Sequence, residues 1–114
     1  MIGVDIERID KIRELKIEKL NRIFSNEEKE YAFRFSDFAK HFAGMYCAKE
    51  ALVKALDDKT LCYNKISVIH SDSGKPSFEN NEYLNNILSK YGVKKIDVSI
   101  SHIDEIAIAI VEIN

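Results

Sequence analysis

A helical pattern from about residue 37 to 56 fills the middle of this 114-residue sequence, and a chain this short has to be built around it. Phe38, Phe42, Met45, Leu52, Val53 and Leu56 form its apolar stripe, spaced for one face of an amphipathic helix. Ser36 or Asp37 stands where a cap belongs, and Asp57-Asp58-Lys59 ends the run. Its second half carries Lys49, Glu50 and Lys54. Glu50 and Lys54 are four apart and lie one turn above each other, while Lys49 points toward Met45 and Val53. An exposed pair at that spacing contributes only about 0.3–0.5 kcal/mol. Whether these charges do anything more depends on what the rest of the chain brings to them.

Residues 2–7, IGVDIE, alternate as a strand does. Ile2, Val4 and Ile6 are expected to face the core, with Gly3, Asp5 and Glu7 on the other side. Asp5 and Glu7 then sit about 6.5–7 Å apart on one face, able to address a single ion, and Gly3 leaves open backbone beside them. From residue 8 to 24 the pattern is helical, with Ile9, Ile12, Leu20, Ile23 and Phe24 as the buried set. Arg8, Lys11, Lys19 and Arg22 recur on another side, a basic surface that is either a solvated helix face or a dock for an acidic partner. Ser25-Asn26-Glu27-Glu28 is a capping box that opens a helix running to about Phe35.

Beyond the long helix the period changes to two. Ile66, Val68 and His70 suggest a strand; Asp72-Ser73-Gly74-Lys75-Pro76 is a turn leading into another around residues 77–79. A helix over about 82–91 stops at Gly92. Strands at 96–101 and 106–113 flank Asp104-Glu105, which implies an antiparallel hairpin. The fold expected is α+β: an antiparallel sheet with helices packed on one side and the long helix central.

The chain reads as one domain, residues 1–114. Net charge is −2 and the pI about 5.9, which argues against a nucleic-acid binder that works by neutralising phosphates. No apolar run is long enough to span a bilayer, and the N-terminus lacks a secretory pattern. Cys47 and Cys62 have no metal-ligand spacing and read as reduced thiols of a cytoplasmic protein.

The chemistry suggested by two strand carboxylates, one helix carboxylate and nearby lysines is that of magnesium and a diphosphate. Magnesium takes oxygen ligands, keeps several waters and commonly binds through one or two carboxylates plus substrate phosphates. If the long helix packs over the first strand, Asp5, Glu50 and Glu7 form a half-shell, and Lys49 and Lys54 offset the remaining negative charge. No phosphate-binding glycine loop, zinc motif or nucleophile elbow is present.

With these residues in place, the chain resembles the holo-acyl-carrier-protein synthases, the small bacterial group of 4′-phosphopantetheinyl transferases. The likeness rests on Gly3-Val4-Asp5 and on residues 46–54, YCAKEALVK, which match the family's G-x-D strand and (F/W)-x-x-K-E-A-x-x-K helix. The capped helix after Ile23-Phe24, the Gly74-Lys75-Pro76 turn, and Ser99-Ile100-Ser101-His102 followed by Ala107 and Ala109 match in order. The resemblance implies transfer of phosphopantetheine from coenzyme A to a serine of an acyl carrier protein, in fatty acid biosynthesis. It implies Asp5 and Glu50 as Mg2+ ligands with Glu7 a candidate third, Glu50 or a water it orients as base, Lys54 on the diphosphate, and Lys49 on the diphosphate or the 3′-phosphate. Gly74, Lys75, Pro76 and His102 would lie at the coenzyme, and Arg8, Lys11 and Arg22 would dock the carrier protein. A homotrimer with the active site between subunits is also implied. Where the family usually has an arginine this chain has Met45, so phosphate contact passes to Lys40, His41 or Lys49. The competing readings are a non-catalytic domain that binds an acidic partner through its basic helix, and a metal-dependent phosphodiesterase.

Overall fold

The computed structural model describes all 114 residues. In chain order they form β1 (Ile2–Arg8), α1 (Ile9–Arg13), α2 (Ile17–Ile23), α3 (Asn26–Ala32), α4 (Phe38–Leu56), a 3-10 turn (Tyr63–Lys65), β2 (Val68–His70), β3 (Pro76–Phe78), α5 (Glu82–Lys90), β4 (Ile96–Ile103) and β5 (Ile106–Ile113). The main sheet is antiparallel in the order β1-β5-β4, and β2-β3 is a separate hairpin that packs beside β4. The α+β expectation holds. So does the tight β4–β5 connection, where Asp104 takes φ 52° to turn the chain.

α4 lies across the sheet and touches all three of its strands. Asp37 caps it, its carboxylate accepting from the Lys40 amide, and Asp57 ends it in the left-handed conformation. Phe42 and Leu52 on its core face are fully enclosed, each contributing roughly 1.5–3 kcal/mol by leaving water.

The strand alternation in β1 is real, but its faces are the reverse of those expected. Gly3 and Asp5 turn inward against α4, while Ile2, Val4 and Ile6 are 66%, 48% and 61% exposed. The reason is the closeness of α4. A Cβ placed on Gly3 would stand 1.9 Å from the Ala51 carbonyl oxygen, so only glycine fits, and the space expected beside it is helix backbone. The neighbouring strand continues this seam: Ala109 lies opposite Asp5 and Ala107 opposite Glu7. Both are buried, as are Ala48, Ala51 and Ala55 on the helix. Isoleucines on this side would hold the helix off the sheet, so they occupy the outer face.

A second correction concerns residues 8–24, which form two short helices rather than one. Ile9 and Ile12 pack α1 against α4, whereas α2 packs on the 3-10 turn around Tyr63. One straight helix could not serve both neighbours. The break at Glu14-Leu15-Lys16 lets Leu20 and Phe24 reach the core in a new direction. The capping box at Ser25 and Glu28 is present in full, although α3 ends at Ala32 rather than near Phe35.

Candidate active site

The inversion of β1 is what builds the site, since it carries Asp5 and Glu7 toward α4 and Glu50. Asp5 is 7% exposed. Its Oδ1 accepts from Lys54 Nζ at 3.0 Å, and the same ammonium donates to the Val4 carbonyl at 3.0 Å. Lys54 therefore pairs across to the strand instead of down its own helix to Glu50, and the bond to Asp5 raises its pKa. The other Asp5 oxygen, Oδ2, is enclosed and has no hydrogen-bond partner.

Around this pair the carboxylates crowd. The Glu7 carboxyl is pushed above its usual range by burial, and then by the charges of Asp5 and Glu50. Tyr46 and Tyr63, with ring centres 6.2 Å apart, stand beside Glu50. Burial first, and then the Glu50 carboxylate, raise both phenols, so they stay protonated and can donate. Tyr63 lies outside every motif in the sequence. It is delivered by the 3-10 turn, a long-range contact that no local pattern signals.

A buried carboxylate oxygen with no donor costs about 1–3 kcal/mol. The charges of Asp5 and Glu50 both act unfavourably on the Glu7 carboxylate. Both features suit a hard divalent cation. No three His, Cys, Asp or Glu side chains are arranged to hold an ion by themselves, and the residues present fit only a cation that needs one or two carboxylates and keeps several waters.

Lys49 is not part of this arrangement, and its expected place on the diphosphate or the 3′-phosphate is corrected. It is 0% exposed. Its Nζ donates to Glu28 Oε1 at 2.5 Å, to the Ile23 carbonyl at 2.7 Å and to the Tyr63 carbonyl at 2.8 Å. All three ammonium protons are thereby used. Glu28 also accepts from the Ser25 and Val68 amides. Burial pushes Glu28 up and Lys49 down, and the bond between them opposes both shifts. The pair ties α2, α3, the 3-10 turn and β2 to α4.

The expected coenzyme residues meet elsewhere, in a cleft of about 600 Å³ bounded by α3, α4, the β2–β3 turn and β4. Gly74, Pro76 and His102 line it; Lys75 does not. Gly74 takes φ 90° and donates to the Ser71 carbonyl, which closes the turn. Gly44 on α4 makes room for the His102 ring, since a Cβ there would lie 2.9 Å from its Nε2. His41 also lines the cleft, as do Tyr31, Arg34, Phe35 and His70, which the sequence motifs did not single out. Met45 is enclosed in the core and Lys40 is exposed outside the lining. Gly44 and Glu50 are six residues apart on α4, about 9 Å along the helix, so cleft and carboxylates share one rigid support.

Arg8, Lys11 and Arg22 are exposed as expected. They fall into two patches because α1 and α2 are separate. Arg8 and Lys11 flank a groove beside Glu7, and Arg22 lies with Lys16 and Lys19 on another.

Comparison with known proteins gives this geometry a context. The family profile described as the 4′-phosphopantetheinyl transferase superfamily matches residues 1–111. The chain is 38% identical to the holo-[acyl-carrier-protein] synthase of Clostridium kluyveri, over 99% of this chain and 90% of that protein. It is 33% identical to the synthase of the same description from Caldanaerobacter subterraneus, over 96% and 90%. In structure it is similar to the Helicobacter pylori holo-[acyl-carrier-protein] synthase in complex with coenzyme A, with TM-score 0.86, 28% identity and full coverage of both chains.

Proposed function

The chain belongs to the 4′-phosphopantetheinyl transferase superfamily, and from that membership and its site we propose how it acts. It transfers 4′-phosphopantetheine from coenzyme A to a serine of apo-acyl carrier protein. The products are the holo carrier, used in fatty acid biosynthesis, and adenosine 3′,5′-bisphosphate. The observation that carries the assignment of the site is an enclosed Asp5 oxygen with no partner, beside Lys54 and within reach of the charges of Glu7 and Glu50.

In the reaction the serine hydroxyl attacks the phosphorus next to the pantetheine arm, and the bond to the bisphosphate breaks. Glu50 is the base that takes the hydroxyl proton, directly or through one water. Tyr46 and Tyr63, protonated beside it, hold its carboxylate in place. Lys54, anchored on Asp5 and the Val4 carbonyl, stands ready to donate to the 5′-phosphate of the leaving adenosine 3′,5′-bisphosphate. Asp5 and Glu50, with Glu7 a third candidate, are the residues that would hold Mg2+. Such an ion, when bound, neutralises developing charge on the phosphate oxygens. The cleft at Gly74, Pro76 and His102 takes the nucleotide end of the coenzyme, and the Lys75 side chain stands outside it.

Arg8, Lys11 and Arg22 form the docking surface for the acidic carrier, with charge mainly speeding encounter. The apolar outer face of the sheet, with Ile2, Val4, Ile6, Ile103 and Ile110 exposed, supports assembly into a homotrimer with sites between subunits. The 114 residues work as one domain in the cytoplasm. No helix is long and apolar enough to cross a membrane.

Mass spectrometry of apo carrier protein incubated with coenzyme A and Mg2+ tests the reading. The expected result is a gain of one phosphopantetheine, lost when EDTA is added. Carrier of unchanged mass would overturn it, and transfer that persists in EDTA would remove the metal from the account.

A further inference from the structure

The cleft beside α4 carries an unusual set of basic side chains. Arg34 is permanently charged, but the other basic side chains on its wall are His41, His70 and His102, all three histidines of the chain. Two of them are stacked on aromatic rings. His70 lies parallel to Tyr31, with centroids 3.9 Å apart, and His41 lies on Phe35 at 3.8 Å. His70 Nδ1 is enclosed and has no partner in the protein. His102 Nε2 stands 3.1 Å from the Lys40 carbonyl, so this nitrogen carries its hydrogen and donates, and Nδ1 is the position left to protonate.

We propose that His41, His70 and His102 form a proton-linked phosphate site, which binds the phosphates of the coenzyme as the imidazoles take up protons. The proposal rests on the reading above that this cleft receives the nucleotide end of coenzyme A. In the free protein the three rings favour the neutral form. Burial lowers each of them; His41 is lowered further by His102 and then Lys40, and His70 by His41, while on His102 the hydrogen bond to the Lys40 carbonyl opposes the effect of burial. The carboxylates facing them are few. Asp37 acts on His41 and His102, and Asp72 stands on the cleft wall. A phosphate dianion reverses this balance, since an opposite charge within about 4–6 Å favours the protonated ring. The stacked Tyr31 and Phe35 then add a favourable cation–π contact to the charged imidazoles. Capture of the nucleotide therefore draws protons from solvent near neutral pH, and tightens as pH falls from 8 toward 6.5.

The sign of the proton flux separates protein from ligand. A phosphate monoester has its second pKa near 6, so at pH 7 it is largely dianionic, and binding to cations only strips its remaining protons. Net uptake at pH 7 must come from the protein. The test is titration calorimetry of the wild-type protein with adenosine 3′,5′-bisphosphate in EDTA, at pH 7, in two buffers of different ionisation enthalpy. Net proton uptake is the expected result. His70→Gln and His41→Gln should each reduce the uptake and weaken binding, by roughly 10-fold. Binding with zero uptake or with proton release overturns the proposal while leaving the assignment of the cleft intact. Uptake that is unchanged in both variants also overturns it. The absence of binding at any pH from 5.5 to 8 overturns the cleft reading itself, and the proposal with it.

Discussion

Lys49 and Lys54 leave α4 little more than one turn apart, one into the protein and one onto the edge strand of the sheet. Lys49 is wholly enclosed and spends its three protons on Glu28 and two carbonyls. Lys54 is half exposed and leans on Asp5, whose second oxygen has no partner. In the first region every polar group is paired within the chain. In the second, groups are left over. Structure built for stability completes its hydrogen bonds, whereas structure built for a ligand leaves some for that ligand to complete.

The largest effect is expected of Lys49→Met. It leaves Glu28 charged and buried without its ammonium partner, so it should lower stability by about 3–5 kcal/mol. Urea unfolding checks it, and a loss under 1 kcal/mol would show that the pair is not structural. Next is Gly3→Ala, which presses a methyl group into the Ala51 carbonyl. A loss of about 1–3 kcal/mol is expected in the same assay, together with slower transfer as Asp5 shifts away from Glu50. Lys54→Met sharpens the contrast with Lys49. Its cost in stability should be smaller, about 1–3 kcal/mol for the Asp5 oxygen left without its donor, while the transfer rate falls by roughly 10²-fold. Steady-state kinetics beside a thermal melt separates the two effects.

The smallest effect is on the pH dependence of stability, and it probes the open histidines. His41, His70 and His102 have pKa values lowered in the folded protein. As pH falls below about 6.5, the unfolded chain takes up protons that the folded chain refuses. Each histidine therefore makes stability fall on acidification, over the window from its ordinary value down to its lowered one. Glu7 and Glu28, raised by burial, act in the opposite sense. The useful comparison is consequently with a variant: His70→Gln should show a smaller loss of stability between pH 7.5 and 5.5 than the wild type. Equal losses would remove His70 from the account.

Local signals made much of this legible from the sequence. The caps of α3 and α4, the Gly74 turn and the Asp104 hairpin are each written in a few adjacent residues. They place α4, and they place Glu50 and Lys54 on it. Alternation located β1 but not its inner face, because a period of two is symmetric and only the closeness of Gly3 to Ala51 decides the matter. The break between α1 and α2 carries no glycine or proline, and follows from which neighbour each half packs against. Lys49 was misread for a similar reason. Its environment is set by Glu28 and Tyr63, distant in sequence, so charge and spacing pointed it at a phosphate when the fold had already enclosed it.

Glu50 belongs to the open region, and in the proposed reaction it acts in the chemistry. Glu50→Gln, assayed for transfer to apo carrier protein and melted in the same buffer, tests this most directly. The account predicts a rate reduced by about 10²–10⁴-fold with the melting temperature essentially unchanged. Turnover equal to the wild type would mean that this carboxylate is only a surface charge on a helix.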